Sequence, residues 1–286
     1  MSNFRITCTD IAEFKKTKDF LICVDSDGCA MDTMNVKHFK CFGPLMIREW
    51  DLYKWESEIL SIWNEINLYT RTRGVNRFRG LALTLKEVNE KFHPIAEIGH
   101  LLFWAVRDCE LSNDSIRQEI AQKPDIGIFK KALSWSIEVN RATEQLGDDD
   151  ISVFEGVREE LEAAHQFADI AIVSGADPDA LVHEWNRHDL TKHVDLILAQ
   201  NAGSKKHCIS ELLKKGYLAQ SVLMCGDAPG DLEAAEANGV FFFPILVRQE
   251  EESWKEFPTA CQKLKAGEYP EYGARKKAEF LNNLEK

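Results

Sequence analysis

Two acidic residues, Asp25 and Asp27, stand two positions apart in the segment FLICVDSDGCAMDT (residues 20–33), directly after a short apolar run. Carboxylates this close repel each other unless a cation sits between them. Hard oxygen ligands of this kind suit Mg²⁺. A carboxylate held near a metal can also serve as a nucleophile or as a general acid and base. Gly28 permits a turn at this point and a close approach of backbone to a ligand. An acidic turn without chemistry is the plain alternative for this segment taken alone.

A second acidic pair lies in VLMCGDAPGDLEAA (residues 222–235), where Asp227 and Asp231 follow another apolar run. A spacing of four lets both carboxylates converge on a cation at the start of a helix, for which Asp231 is also a good N-cap. In IAIVSGAD (residues 170–177), Ser174 and Gly175 end a third apolar run. A hydroxyl beside exposed backbone N–H groups makes a cradle for phosphate. Lys205 in NAGSKKHCISELL can neutralise phosphate charge at a helix start, and Lys206 competes for the same role.

The elements that must position these residues are legible in the hydropathy. Phe20–Val24, Ile170–Val173 and Val222–Cys225 read as buried parallel strands, and Val194–Leu198 and Val240–Leu246 as weaker candidates. Helical stretches separate them at Gly156–Phe167, Asp179–Trp185, Ile209–Lys215 and Asp231–Ala237. This alternation predicts an α/β fold with a doubly wound parallel sheet. In such sheets ligands bind at the C-terminal ends of the strands, where Asp25, Asp27, Ser174 and Asp227 fall.

From about residue 35 to 150 the pattern changes. Leu52, Trp55, Ile59, Ile62, Ile66 and Tyr69 predict one face of a long helix, and Leu81, Leu85, Val88 and Phe92 a second. Ser112 is placed to cap a third helix. Asp125–Leu146 predicts a fourth, with Phe129, Leu133 and Ile137 inward. Trp50, Trp55, Trp63, Trp104 and Trp135 suit the core of this helical part. His38, His93 and His100 lack metal-ligand spacing. The expected division is residues 1–34 with 151–286 as the α/β core, including a helical tail broken near Pro270, and residues 35–150 as an all-α insertion.

The order strand–DxDG, strand–Ser, Lys, strand–GDxxxD resembles the haloacid dehalogenase-like superfamily, most of whose members are phosphohydrolases. The resemblance covers about residues 15–34 and 151–247. It implies a Rossmann-like core with an inserted C1-type cap. It further implies that Asp25 attacks phosphorus and that Asp27 serves as general acid and base. Mg²⁺ would be held by the Asp25 carboxylate, the Asp27 backbone carbonyl and Asp227, with Asp231 as a ligand or just behind one. Ser174, Gly175 and Lys205 would hold the phosphoryl group. A phosphatase for small phosphate monoesters, similar to phosphoglycolate and sugar-phosphate phosphatases, is the leading expectation. A phosphomutase of the β-phosphoglucomutase type shares the motifs. A catalytically silent binding or regulatory protein is the alternative from another class.

Arg71, Arg73, Arg77 and Arg79 crowd into TRTRGVNRFRG (residues 70–80). Arg77 and Arg79 are the candidates to contact an anionic substrate. Asp32 and Thr33 either form a hinge at the mouth of the site or cap a turn.

The chain has 286 residues and a net charge of -12, which repels nucleic acid. It is 44% hydrophobic and 29% charged, enough for a full core. Eight cysteines without a C-x-x-C pair suggest reduced, mostly buried thiols. The N-terminal residues lack the apolar stretch of a signal peptide, and no run is long enough to span a membrane. A cytoplasmic protein, monomer or homodimer, is expected.

Overall fold

The computed structural model describes residues 8–107 and 111–285. Cys109 and the first seven residues lie outside them. The chain divides into two compact units, residues 1–33 with 151–286 and residues 34–150.

The first unit is a five-stranded parallel sheet of order β3-β2-β1-β4-β5, with β1 Phe20–Val24, β2 Ala168–Val173, β3 Leu196–Leu198, β4 Val222–Gly226 and β5 Phe241–Pro244. β2, β3 and β4 are buried along their whole length and β1 from its second residue onward, which is why their sequences are continuous apolar runs rather than alternating ones. The connecting helices include Val157–His165, Pro178–Arg187, Lys205–Leu213 and Pro229–Ala237. The strand order reverses between β1 and β4. In doubly wound sheets that reversal opens a crevice for ligands.

Two further helices, Glu250–Ala266 and Tyr269–Asn283, close this unit. The break falls at Gly267, whose φ of 71° ends the first helix, while Pro270 lies inside the first turn of the second. The Tyr269 hydroxyl donates to the Phe242 carbonyl at 2.8 Å and docks the tail on β5.

The second unit is helical and has its own core, in which Trp63, Trp104, Trp135, Phe78 and Phe129 meet ring to ring. Ser112 caps the helix Asn113–Gln122 as expected, through a reciprocal pair with Ser115. Two expectations change here. The face from Leu52 to Tyr69 is not one α-helix but a 3₁₀ turn Tyr53–Trp55, an α-helix Glu56–Asn64 and a wide π turn Glu65–Tyr69. The Asn67 side chain donates to the Trp63 carbonyl at 2.8 Å, inserting into the ladder where the helix widens. The helix Gly127–Glu144 buries Phe129, Ala132, Trp135, Ser136 and Val139, so Leu133 and Ile137 sit half-buried at the edge of its inward face. Helices Gly43–Trp50 and Ile98–Ala105 carry no reading in the sequence.

The seven described cysteines are free, and six of them are buried. No described helix is long and apolar enough to cross a membrane.

Candidate active site

The ends of the three central strands lie level. Val24 is paired with Cys225 on one side and Ile172 on the other, so Asp25, Gly226 and Val173 follow at the same height. The Asp25 N–H donates to the Cys225 carbonyl at 3.0 Å, which fixes the residue where pairing stops. Asp25, Asp227, Asp231 and Ser174 are all buried.

Asp25, Asp227 and Asp231 each present a carboxylate oxygen within 4.8 Å of the others. The Lys205 ammonium reaches into this group. It contacts Asp25 Oδ2 at 2.7 Å and Asp231 Oδ1 at 2.5 Å. Asp25 Oδ1 accepts from the Ser26 N–H at 2.8 Å, and Asp231 Oδ2 accepts from the Ala228 N–H at 3.0 Å. Asp231 is therefore the third residue of its helix rather than the N-cap. Pro229 starts the helix, and Asp231 reaches back to the residue before it.

Gly226 makes this arrangement possible. A Cβ there would stand 2.3 Å from Asp231 Cγ, so any side chain would evict the carboxylate. Gly28 has a φ of 79°, and its N–H donates to the Met31 carbonyl at 2.8 Å, closing the loop that carries Asp27. The Asp27 carboxylate accepts from the Thr33 hydroxyl. Thr33 is fully buried and orients Asp27, while the Asp32 N–H donates to the Ser152 carbonyl at 2.9 Å.

Burial pushes the Asp25 carboxyl well above the usual carboxylate range. Lys205 pulls it back, and Asp231 and Asp227 push it further up. Burial alone would disfavour a charged Lys205, but Asp231 and Asp25 outweigh it and hold the ammonium charged. An all-oxygen set of three converging carboxylates, with one lysine against it, fits a small divalent cation.

The Ser174 N–H donates to the Leu198 carbonyl at 2.9 Å, and its Oγ accepts from the Ala176 N–H at 3.2 Å. Gly175 has open space where a side chain would be, which leaves its backbone approachable. Of the competing lysines, Lys205 meets the carboxylates and Lys206 is exposed.

The two arginine candidates are engaged within the helical unit. Arg77 donates to Asn140 Oδ1 at 2.5 Å and lies over the Phe42 ring at 5.1 Å. Arg79 Nε donates to the Ala105 carbonyl at 3.0 Å. Arg73 is buried and donates to the Leu68 carbonyl at 2.8 Å. The Arg77 and Arg79 bonds join distant parts of the unit, and the Arg73 bond is local.

Sequence reasoning passed over two groups beside the first acidic pair. Trp185 Nε1 donates to Ser26 Oγ at 2.9 Å, and Trp254 Nε1 donates to the Cys29 carbonyl at 2.9 Å. The available signal was chemical: an indole in an apolar segment carries an N–H that needs a partner once buried.

A family model for haloacid dehalogenase-like hydrolases matches residues 110–245. That stretch contains Ser174, Lys205, Asp227 and Asp231, while Asp25 and Asp27 precede it. No curated protein matches the sequence. A haloacid dehalogenase-like family hydrolase from Xanthomonas campestris superposes with a TM-score of 0.51 at 15% identity, covering 92% of this chain and 99% of its own. A predicted phosphoglycolate phosphatase from Haemophilus somnus gives 0.43 at 15% identity, covering 79% and 84%. A candidate β-phosphoglucomutase from Thermotoga maritima gives 0.43 at 17%, covering 79% and 84%. The first of these shares the fold; the other two are too distant to bear on substrate. The family model thus spans just under half of this chain, and the fold shared with the first structure extends over 92% of it.

Proposed function

We propose that the protein is a divalent-metal-dependent phosphohydrolase that cleaves small-molecule phosphate monoesters through a phosphorylated Asp25. The observation that carries this reading is the meeting of Asp25, Asp227, Asp231 and Lys205 at the ends of β1 and β4.

Asp25 attacks phosphorus and becomes an aspartyl-phosphate as the alcohol leaves. Asp27, two residues on and oriented by Thr33, gives a proton to the leaving oxygen and later takes one from the water that hydrolyses the acyl-phosphate. Lys205 and the Ser174–Gly175 turn hold the transferring phosphoryl oxygens, since this chemistry depends mainly on positioning and charge stabilisation. Mg²⁺, held by Asp25 and Asp227 with the Asp27 carbonyl and with Asp231 beside them, would offset the repulsion between an anionic nucleophile and an anionic substrate.

The test is phosphate release from a panel of phosphate monoesters with Mg²⁺, beside Asp25→Asn. Release should require the metal and vanish in the variant. Equal release by the variant removes Asp25 from the chemistry, and a folded wild-type protein with no turnover on any ester overturns the reading.

A further inference from the structure

The loop that carries Asp27 is held at both shoulders by indoles from distant parts of the chain. On one side Trp185, in the helix that follows the Ser174–Gly175 turn, donates to Ser26 Oγ at 2.9 Å. On the other, Trp254, in the first tail helix, donates to the Cys29 carbonyl at 2.9 Å. Both tryptophans and Ser26 are fully buried, so neither bond competes with water. Within the loop, the Ser26 carbonyl accepts from the N–H groups of Cys29, Ala30 and Met31, and the Ser26 N–H binds Asp25 Oδ1. A shift of Ser26 therefore moves Asp25 directly, and a shift of Cys29 moves the turn behind Asp27.

We propose that Trp185 and Trp254 are positioning residues for the reaction: their indole N–H groups fix the Ser26–Cys29 loop so that Asp25 and Asp27 hold their separation and aim. The proposal rests on the phosphohydrolase reading for its kinetic consequence and on the two hydrogen bonds for its structural one. It makes the tail helix part of the scaffold of the site, and it joins the phosphate turn to the nucleophile loop through one side chain. The polar residue between the two acids has a purpose on this account, because Ser26 is the acceptor for Trp185.

The experiment compares Trp185→Phe and Trp254→Phe with Trp135→Phe. Trp135 supplies the control, since its indole also donates to a buried backbone carbonyl, that of Phe42 at 3.1 Å, but within the helical unit. Misplacement of a reacting group by about 1 Å can cost about 100-fold in rate, and a smaller shift about 10-fold. The first two variants should lose that much kcat with KM changed by less than about two-fold, while Trp135→Phe loses stability and keeps kcat. Hydrogen exchange gives a readout independent of turnover. Amides 26–31 should exchange faster in Trp185→Phe and Trp254→Phe than in wild type, and at the wild-type rate in Trp135→Phe. In a double-mutant cycle, Ser26→Ala should add little to the kcat loss of Trp185→Phe. Unchanged loop exchange, or a kcat loss no larger than that of Trp135→Phe, overturns the proposal. Absence of wild-type turnover would instead fall on the phosphohydrolase reading and leave the exchange test standing.

Discussion

Lys205 bridges Asp25 Oδ2 and Asp231 Oδ1, at 2.7 Å and 2.5 Å. One ammonium thus touches the residue at the end of β1 and the residue in the first turn after β4. In the phosphohydrolase reading it serves substrate, nucleophile and metal site together. Lys205→Met should lower kcat/KM for phosphate esters by about 10²- to 10³-fold, the usual cost of losing a charge-stabilising donor. Lys206→Met should leave it near wild type. Steady-state kinetics on the two variants separates the neighbours.

Gly226→Ala tests the packing that brings Asp231 to the site. The added methyl would overlap the Asp231 carboxylate. A loss of about 2 kcal/mol in unfolding free energy is expected from the overpacking. Mg²⁺-dependent activity should fall by about 100-fold or more as Asp231 leaves Lys205. Thermal melts and activity at saturating metal would measure both.

Arg77→Ala should act on the helical unit rather than on catalysis. The guanidinium bonds Asn140 and stacks over Phe42, and its loss should cost about 1–2 kcal/mol. KM and kcat for any phosphate ester should hold within about two-fold. A KM raised ten-fold at unchanged melting temperature would return Arg77 to substrate binding.

Glu119 offers a pH test away from the acidic cluster. Burial raises its carboxyl pKa, but hydrogen bonds from Lys123 and Arg107 outweigh this and hold it below the ordinary 4.5. A depressed folded-state pKa means that the unfolded chain binds the proton more readily. The contribution to stability is therefore full above pH 4.5 and is lost as pH falls through the folded-state value. Glu119→Gln should destabilise by about 1 kcal/mol at neutral pH, and the difference from wild type should close on acidification. Denaturant melts across this range would show it.

Much of this was readable beforehand because the strands announce themselves. A parallel strand buried on both faces has no alternation, so a polar residue at the end of such a run marks a strand end, and Asp25, Ser174 and Asp227 all stood out in this way. What stayed hidden depends on contacts that no local pattern encodes. Ser26 and Trp185 are 159 positions apart. The Asn67 side chain widens its helix without disturbing the apolar spacing that suggested one straight element. Arg77 and Arg79 drew notice as a cluster of charge in an acidic protein, and only the folded chain shows that Asn140 and the Ala105 carbonyl receive them. Asp231 looked like a cap because its residue type is common there, but Pro229 fixes the helix start two residues earlier.

The Asp32 N–H to Ser152 carbonyl bond has a further meaning for the chain as a whole. The strand of sequence that leaves the sheet and the one that returns to it are tied side by side, and everything from Met34 to Asp150 hangs from that knot. The insertion can lengthen, shrink or change its helices while both threads keep their places. Such a knot lets the insertion be rewritten in evolution without redirecting the chain through the sheet.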